Sequence, residues 1–133
     1  MKQLNYQTLQ DLNYDGYLLN EAPERVLQFG EGNFMRAFVD FFIDKMNETA
    51  NFNSKVVLVQ PIPKFTTPDV GDFINEQEGL YTLYLRGSEN GQEVSSKRVI
   101  SCISRCLNAY SDYEAVMECA KNPELRFITC NTT

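Results

Sequence analysis

The sequence predicts an α/β fold: a partly parallel sheet with flanking helices and an inserted β-hairpin. Three observations carry the prediction. A mostly apolar run, Arg25–Phe29, passes through Gly30 and Gly32 into a helical pattern that starts at Asn33. A second run, Lys55–Gln60 (KVVLVQ), is β-branched and nearly continuous in its hydrophobicity, as a strand buried on both faces should be. Strand, helix and strand follow within the span of one βαβ unit, whose crossover should be right-handed.

The elements follow in order. Residues 1–24 are polar and turn-rich, with Asp15-Gly16 and Pro23, and read as a surface lead-in. Arg25–Phe29 is the first strand. Asn33–Asn47 reads as one helix, and its apolar set (Phe34, Met35, Ala37, Phe38, Val39, Phe41, Phe42, Ile43, Met46) is wide enough that most of its circumference should be covered. Arg36, Asp40 and Asp44 stand at i+4 steps and should form one solvated edge. A polar loop over 48–54 leads to the strand Lys55–Gln60. Pro61–Gly79, with three prolines, reads as a loop. Leu80–Arg86 and Val94–Ile103 flank Glu89-Asn90-Gly91 and predict a hairpin. Ser111–Lys121 reads as a helix with Ser111 as N-cap and Glu114 at capping-box spacing, ended by Asn122-Pro123. Leu125–Cys130 is the last strand, beside the first one.

Composition narrows the function classes. The chain has 133 residues, 43% of them apolar, which suits one core. A net charge of −6 argues against nucleic acid or an anionic membrane as partner. No stretch approaches transmembrane length and no signal-peptide pattern opens the chain, so a cytoplasmic protein is expected. Cys102, Cys106, Cys119 and Cys130 form no C-x-x-C pair and read as reduced buried thiols. With no histidine and no ligand spacing, no metal site is expected. Ser-His-Asp and Cys-His chemistry cannot be built from this chain.

The glycines carry the chemistry. A tight strand-to-helix turn needs the conformations glycine adopts without strain, and Gly30 fits that role. Gly32, lacking a Cβ, would let phosphates approach the backbone, with the N-terminus of the following helix aimed at them. This is how Rossmann folds bind dinucleotides. Two departures stand out: Met35 occupies the position of the third fingerprint glycine, and Gln60 stands where an Asp or Glu would bind the ribose.

The stretch RVLQFGEGNFMRAFVDFFID resembles the N-terminal segment of the long-chain mannitol dehydrogenase family. Gly30, Gly32, Phe34, Arg36 and Ala37 meet its G-x-G-x-F-x-R-A pattern, although many members carry His where this chain has Phe38. VVLVQPI, EGLYTLYLRG and NPELRFITCNTT agree with the family's hexuronate-acting members. The resemblance implies NAD as cofactor and a sugar acid as substrate, with tagaturonate and altronate interconverted and no metal in the hydride step. Another polyol or uronate dehydrogenase of the family (mannitol or fructuronate type) and a non-enzymatic α/β binding module are the alternatives. It also implies that Phe34 and Ala37 stand where helix meets sheet, so that close packing does not depend on position 35. In this family the catalytic Lys, Asn and His lie in a helical C-terminal domain, so no catalytic residue is assigned here. On this reading 25–133 is part of an NAD-binding domain, truncated after its last strand.

The cofactor-site candidates are Gly30, Gly32, Asn33 and Phe34 in the loop, and Arg36, which could reach a phosphate or pair with Asp40. Gln60 is placed at the ribose, and Asn131, Thr132 and Thr133 at the strand end near the cofactor's middle. A neutral residue at 60 weakens rejection of a 2′-phosphate, so NAD over NADP rests on the resemblance. Tyr81, Tyr84, Tyr110 and Tyr113 read as core or rim aromatics, and Lys64 and Lys97 as solvated. An uncovered strand Leu125–Cys130 should promote self-association.

Overall fold

The computed structural model describes residues 1–131. The chain runs α1 (Tyr6–Asp11), β1 (Glu24–Phe29), α2 (Asn33–Ala37), α3 (Val39–Ala50), β2 (Lys55–Gln60), α4 (Val70–Glu76), β3 (Tyr81–Glu89), β4 (Gln92–Ile100), β5 (Ile103–Asn108), α5 (Tyr113–Cys119) and β6 (Phe127–Cys130). The main sheet has the order β5-β2-β1-β6, and all its pairings are parallel. The hairpin β3–β4 forms a separate antiparallel pair.

Side-chain alternation along the strands divides the core in two. Val26, Val56, Leu58 and Cys106 point to one face, where they meet Ile43 of α3, Ile74 of α4 and Tyr81 and Ile100 of the hairpin. Leu27, Val57 and Val59 point to the other, against Val116 and Cys119 of α5. Every residue of β2 is buried, as its uninterrupted apolar run predicts. Each of its four aliphatic side chains is no more than 2% exposed and stabilises the fold by roughly 1.5–3 kcal/mol.

Several expectations are corrected. The lead-in is not a polar surface segment: it carries α1, capped by Asn5, and Leu9 packs with Leu80 and Val99. Its apolar residues follow no clean period, so the pattern did not announce it. The predicted single helix breaks at Phe38 (φ −119°, ψ −76°), and its second part runs on to Ala50. Asp40 and Asp44 do not form a solvated edge; both are fully buried. Phe34, Phe38, Phe42 and Met46 are instead 61%, 49%, 49% and 39% exposed. The reversal has a polar cause. Asp44 accepts from Arg98 Nε at 2.8 Å and Ser101 N at 3.0 Å, and Asp40 from Gln28 at 3.0 Å. Partners on the sheet side make these acidic side chains tolerable inside, while Phe38 stacks against Phe34 and meets Phe42 edge to face at the surface.

Pro61–Gly79 is not all loop, because α4 starts there from a reciprocal capping box of Asp69 and Asp72. Lys64 is not simply solvated: it pairs with Asp72 at 2.5 Å and Asp69 at 3.8 Å. The hairpin turn forms as predicted, with Asn90 and Gly91 both at positive φ (53° and 77°) and Glu89 paired with Gln92. Its second strand ends at Ile100, however, and Ile103–Asn108 is an unpredicted strand of the main sheet. The last helix starts later than expected. Asp112 is its N-cap, and the Ser111 amide donates to Asn108 Oδ1. Of the four tyrosines singled out, Tyr81 is buried, while Tyr84, Tyr110 and Tyr113 lie exposed. Cys130 is exposed, unlike the other three thiols. β6 lies at the sheet edge beside β1, with Phe127 and Ile128 55% and 67% exposed.

Candidate functional site

Parallel order places the C-terminal ends of β1, β2 and β6 side by side. The chain passes from β1 to β2 and β5 on one side and returns to place β6 on the other, so the strand order reverses beside β1, the crevice where open α/β sheets bind ligands. Gly30 follows β1, and its N–H donates to Val59 O at 2.9 Å. Its φ is +122°, a conformation reserved for glycine. Asn131 follows β6, donates to Phe29 O at 3.3 Å, and its carbonyl lies 4.0 Å from where a Cβ on Gly30 would stand. Gly30 and Asn131 are thus brought together; Thr132 and Thr133 lie outside the described residues.

Gly32 has a different reason to be glycine. Its φ of −68° and ψ of 170° suit any residue, and a Cβ there would meet nothing within 4 Å. The space over it is open, so an incoming group can reach the backbone. Asn33 and Phe34 begin α2, whose first N–H groups have no intrahelical acceptors. The break at Phe38 shortens this helix to five residues, so its dipole is far weaker than an unbroken helix would supply.

Arg36 makes its hydrogen bonds to the glycine loop and not to Asp40. Its Nε donates to Glu31 O at 2.8 Å and a terminal nitrogen to Asn33 Oδ1 at 2.7 Å, so it clasps the glycine loop. The guanidinium lies 5.5 Å over the Tyr81 ring, and the Tyr81 hydroxyl donates to Arg36 O at 2.6 Å. The helix–sheet junction is corrected too: Phe34 is exposed and stacked on Phe38, Ala37 is exposed, and Met35, at 3%, is the buried side chain. A third glycine is absent because a methionine fills that space.

Gln60 ends β2 and is buried. Its amide nitrogen donates to Asp69 Oδ2 at 3.1 Å and reaches Glu31 Oε1 at 3.5 Å. Two carboxylates therefore stand around the neutral residue at the strand end. Beneath the loop, Gln28 Nε2 donates both to Gly30 O and to Asp40 Oδ2, each at 3.0 Å. Burial pushes the Asp40 carboxyl up to about 7, with the Gln28 hydrogen bond and the Arg36 charge acting against it. Burial also raises the Tyr81 hydroxyl far above its ordinary value, so it is not a ready proton donor.

Glu31, Asp69 and Gln28 escaped the sequence reading, and Asp40 was assigned to solvent. Gln28, an amide inside an apolar strand, and the Asp69-x-x-Asp72 spacing were the signals that could have found them. A cleft of about 410 Å³ lined by Asn33, Arg36, Ala37 and Tyr81–Tyr84 opens beside the loop. Another of about 620 Å³ lies near Glu24, Lys55 and Ile103, where the sheet strands begin, away from the glycines. The arrangement leaves the backbone at Gly32 open to an incoming group.

Comparison with known proteins gives this geometry a family. The mannitol dehydrogenase Rossmann domain matches residues 24–133. Altronate oxidoreductase of Phocaeicola vulgatus is 48% identical over 122 residues, covering 92% of this chain and 25% of its own length. That of Bacillus subtilis is 45% identical over 128 residues, covering 94% and 25%. The chain thus spans about a quarter of the length of these curated relatives. Mannitol 2-dehydrogenase of Pseudomonas fluorescens, solved as a ternary complex with NAD and D-mannitol, superposes with a TM-score of 0.76. It is 26% identical, and the match covers 98% of this chain and 26% of that one. Substrate-free D-sorbitol dehydrogenase, 22% identical, shares the fold with a TM-score of 0.78 over 96% of this chain and 26% of its own. No helix among the described residues is long and apolar enough to cross a membrane. With its glycine turn at the end of β1, its parallel order β5-β2-β1-β6 and a match that begins where β1 begins, the chain belongs to the mannitol dehydrogenase family, whose Rossmann domain its residues 24–133 match.

Proposed function

We propose that residues 25–133 are the dinucleotide-binding part of an NAD(H)-dependent oxidoreductase that interconverts tagaturonate and altronate in the cytoplasm. The observation that carries the reading is the glycine turn. Gly30 at φ +122° swings the chain off β1, and Gly32 leaves open space at the switch point of the sheet. The altronate oxidoreductases at 45–48% identity support the substrate, and the NAD-bound relative supports the cofactor.

In this reading Gly30, Gly32 and Asn33 border the pyrophosphate, and Asn131 stands beside it. Arg36 acts by holding the loop rather than by touching phosphate. Gln60 occupies the ribose end, and the flanking carboxylates of Glu31 and Asp69 restore the negative charge it lacks. A 2′-phosphate would be repelled there, which favours NAD over NADP. NAD supplies the hydride chemistry when bound; the residues of this chain bind and orient it. The chain has no histidine and nothing that matches the Lys, Asn and His which the resemblance places in a C-terminal domain, so this chain alone should not turn over tagaturonate.

Titration of the chain with NADH and NADPH, followed by nicotinamide fluorescence or calorimetry, tests the cofactor reading. Saturable NADH binding, with NADPH weaker, is expected; no NADH binding refutes it. A substrate panel on a family member of full relative length that carries these residues separates tagaturonate from the runner-up mannitol and fructuronate types.

A further inference from the structure

Gln28 and Asp40 form a buried polar pair that the family motif does not contain. Both side chains are wholly shielded from water. Gln28 Nε2 donates to Gly30 O and to Asp40 Oδ2. Among the described residues, Gln28 Oε1 and Asp40 Oδ1 are the two buried side-chain polar atoms with no hydrogen-bond partner. Two unpaired acceptors on adjoining planar groups are costly as they stand, since each loses water and gains nothing. The Gly30 carbonyl can only accept, so the nitrogen of Gln28 must lie on that side and the amide cannot be flipped to relieve the problem.

One proton satisfies both orphans. We propose that Asp40 is held as a neutral carboxylic acid, its O–H donating to Gln28 Oε1 while Gln28 Nε2 donates to Asp40 Oδ2, and that this acid–amide pair sets the glycine loop through the Gly30 carbonyl. Asp40 is thereby a positioning residue for the loop. The bearing on cofactor rests on the dinucleotide reading above; the pair itself does not.

The surroundings favour the neutral form. Burial is the dominant influence, and Arg36 is the cation that acts against it. The guanidinium of Arg36, however, is engaged with Glu31 O and Asn33. Asp44 lies one turn further along α3, already paired with Arg98. Tyr81 of β3 and the Cys102 thiol also face Asp40, and Cys102 Sγ donates to the Asp40 carbonyl at 3.2 Å. None of these three supplies positive charge. Asp40 does stand in the first turn of α3, where the helix dipole favours an anion, though by less than burial disfavours one. Desolvating an ionised carboxylate costs several kcal/mol, so burial prevails.

Ionisation would set a charged Oδ1 against Gln28 Oε1, push the amide away and release Gly30 O. A pH titration read by NMR tests this directly. In wild-type protein labelled with 13C at aspartate carboxyls, the Asp40 resonance should titrate near neutral pH, far above an ordinary aspartate. The Gly30 and Gly32 amide resonances should move with the same midpoint. Asp40→Asn, whose amide reproduces the neutral pair, should abolish the loop transition and leave both glycines at their acid-form positions. The chain has no histidine to confuse the neutral range. An Asp40 carboxyl already ionised at about pH 5, or glycine amides that ignore its titration, would overturn the proposal. A second arm follows NADH affinity. It should fall roughly tenfold from about pH 6 to about pH 9 in wild type, and the profile should flatten in Asp40→Asn. A chain that binds no NADH at any pH refutes the cofactor reading alone, and the resonances still decide the pair.

Discussion

Gly30 and Gly32 stand two residues apart in one motif, yet their substitution should give opposite results. At Gly30 the backbone sits at φ +122°. A Cβ there costs roughly 1–3 kcal/mol of strain, offset by roughly 0.4–1 kcal/mol from the stiffer unfolded chain. Gly30→Ala should therefore destabilise the protein by about 1–2 kcal/mol, lowering Tm by roughly 3–10 °C for a domain of this size. At Gly32 the backbone is ordinary and a Cβ meets nothing within 4 Å. Gly32→Val should leave stability within about 0.5 kcal/mol of wild type. On the proposed reading the pyrophosphate lies in this open space, so the same substitution should weaken NADH binding tenfold or more, about 1.4 kcal/mol. Thermal denaturation without ligand and NADH titration, run on both variants, read the two effects separately. If Gly32→Val melts as early as Gly30→Ala, or binds NADH like wild type, the division of labour between the glycines is wrong.

Asp40→Asn has a signed effect on stability. Burial moves the folded-state carboxyl from 3.8 to about 7, so the folded form binds the extra proton; the stability tied to it is full below about pH 4 and lost as pH rises to about 7. The variant should match wild type near about pH 4 and exceed it in mildly alkaline solution by up to about 4 kcal/mol; parallel Tm profiles would contradict this. Arg98→Met strands the fully buried Asp44 carboxylate and should cost about 3–5 kcal/mol in denaturant unfolding, partly restored by adding Asp44→Asn; a loss below about 1 kcal/mol would show that Asp44 needs no cation. Ile128, 67% exposed on the edge strand β6, should drive self-association. Ile128→Lys should shift the chain toward monomer in light scattering, and a wild-type chain that is monomeric at high concentration refutes the idea.

Features that depend on local chemistry were legible along the chain. The apolar run of β2, the Gly30 turn and the Asn90-Gly91 hairpin were all legible, because burial on two faces, φ > 0 and the type I′ turn each demand particular residue types. The glycine loop was legible as a turn for the same reason, and its reading as a cofactor site rests on the proposal above. Tertiary structure decided what depends on distant partners. No periodicity shows that Asp44 will find Arg98 of β4, 54 residues on, or that Asp40 will find Gln28. Without those partners, helix spacing assigns both carboxylates to solvent. The five-residue strand edge that β2 offers to β5, from Val56 to Gln60, likewise forms only once the hairpin has brought Ile103 back to the sheet. Local pattern reports what each residue prefers in isolation. A buried charge or an added strand reflects the free energy of a contact whose other half lies far along the chain.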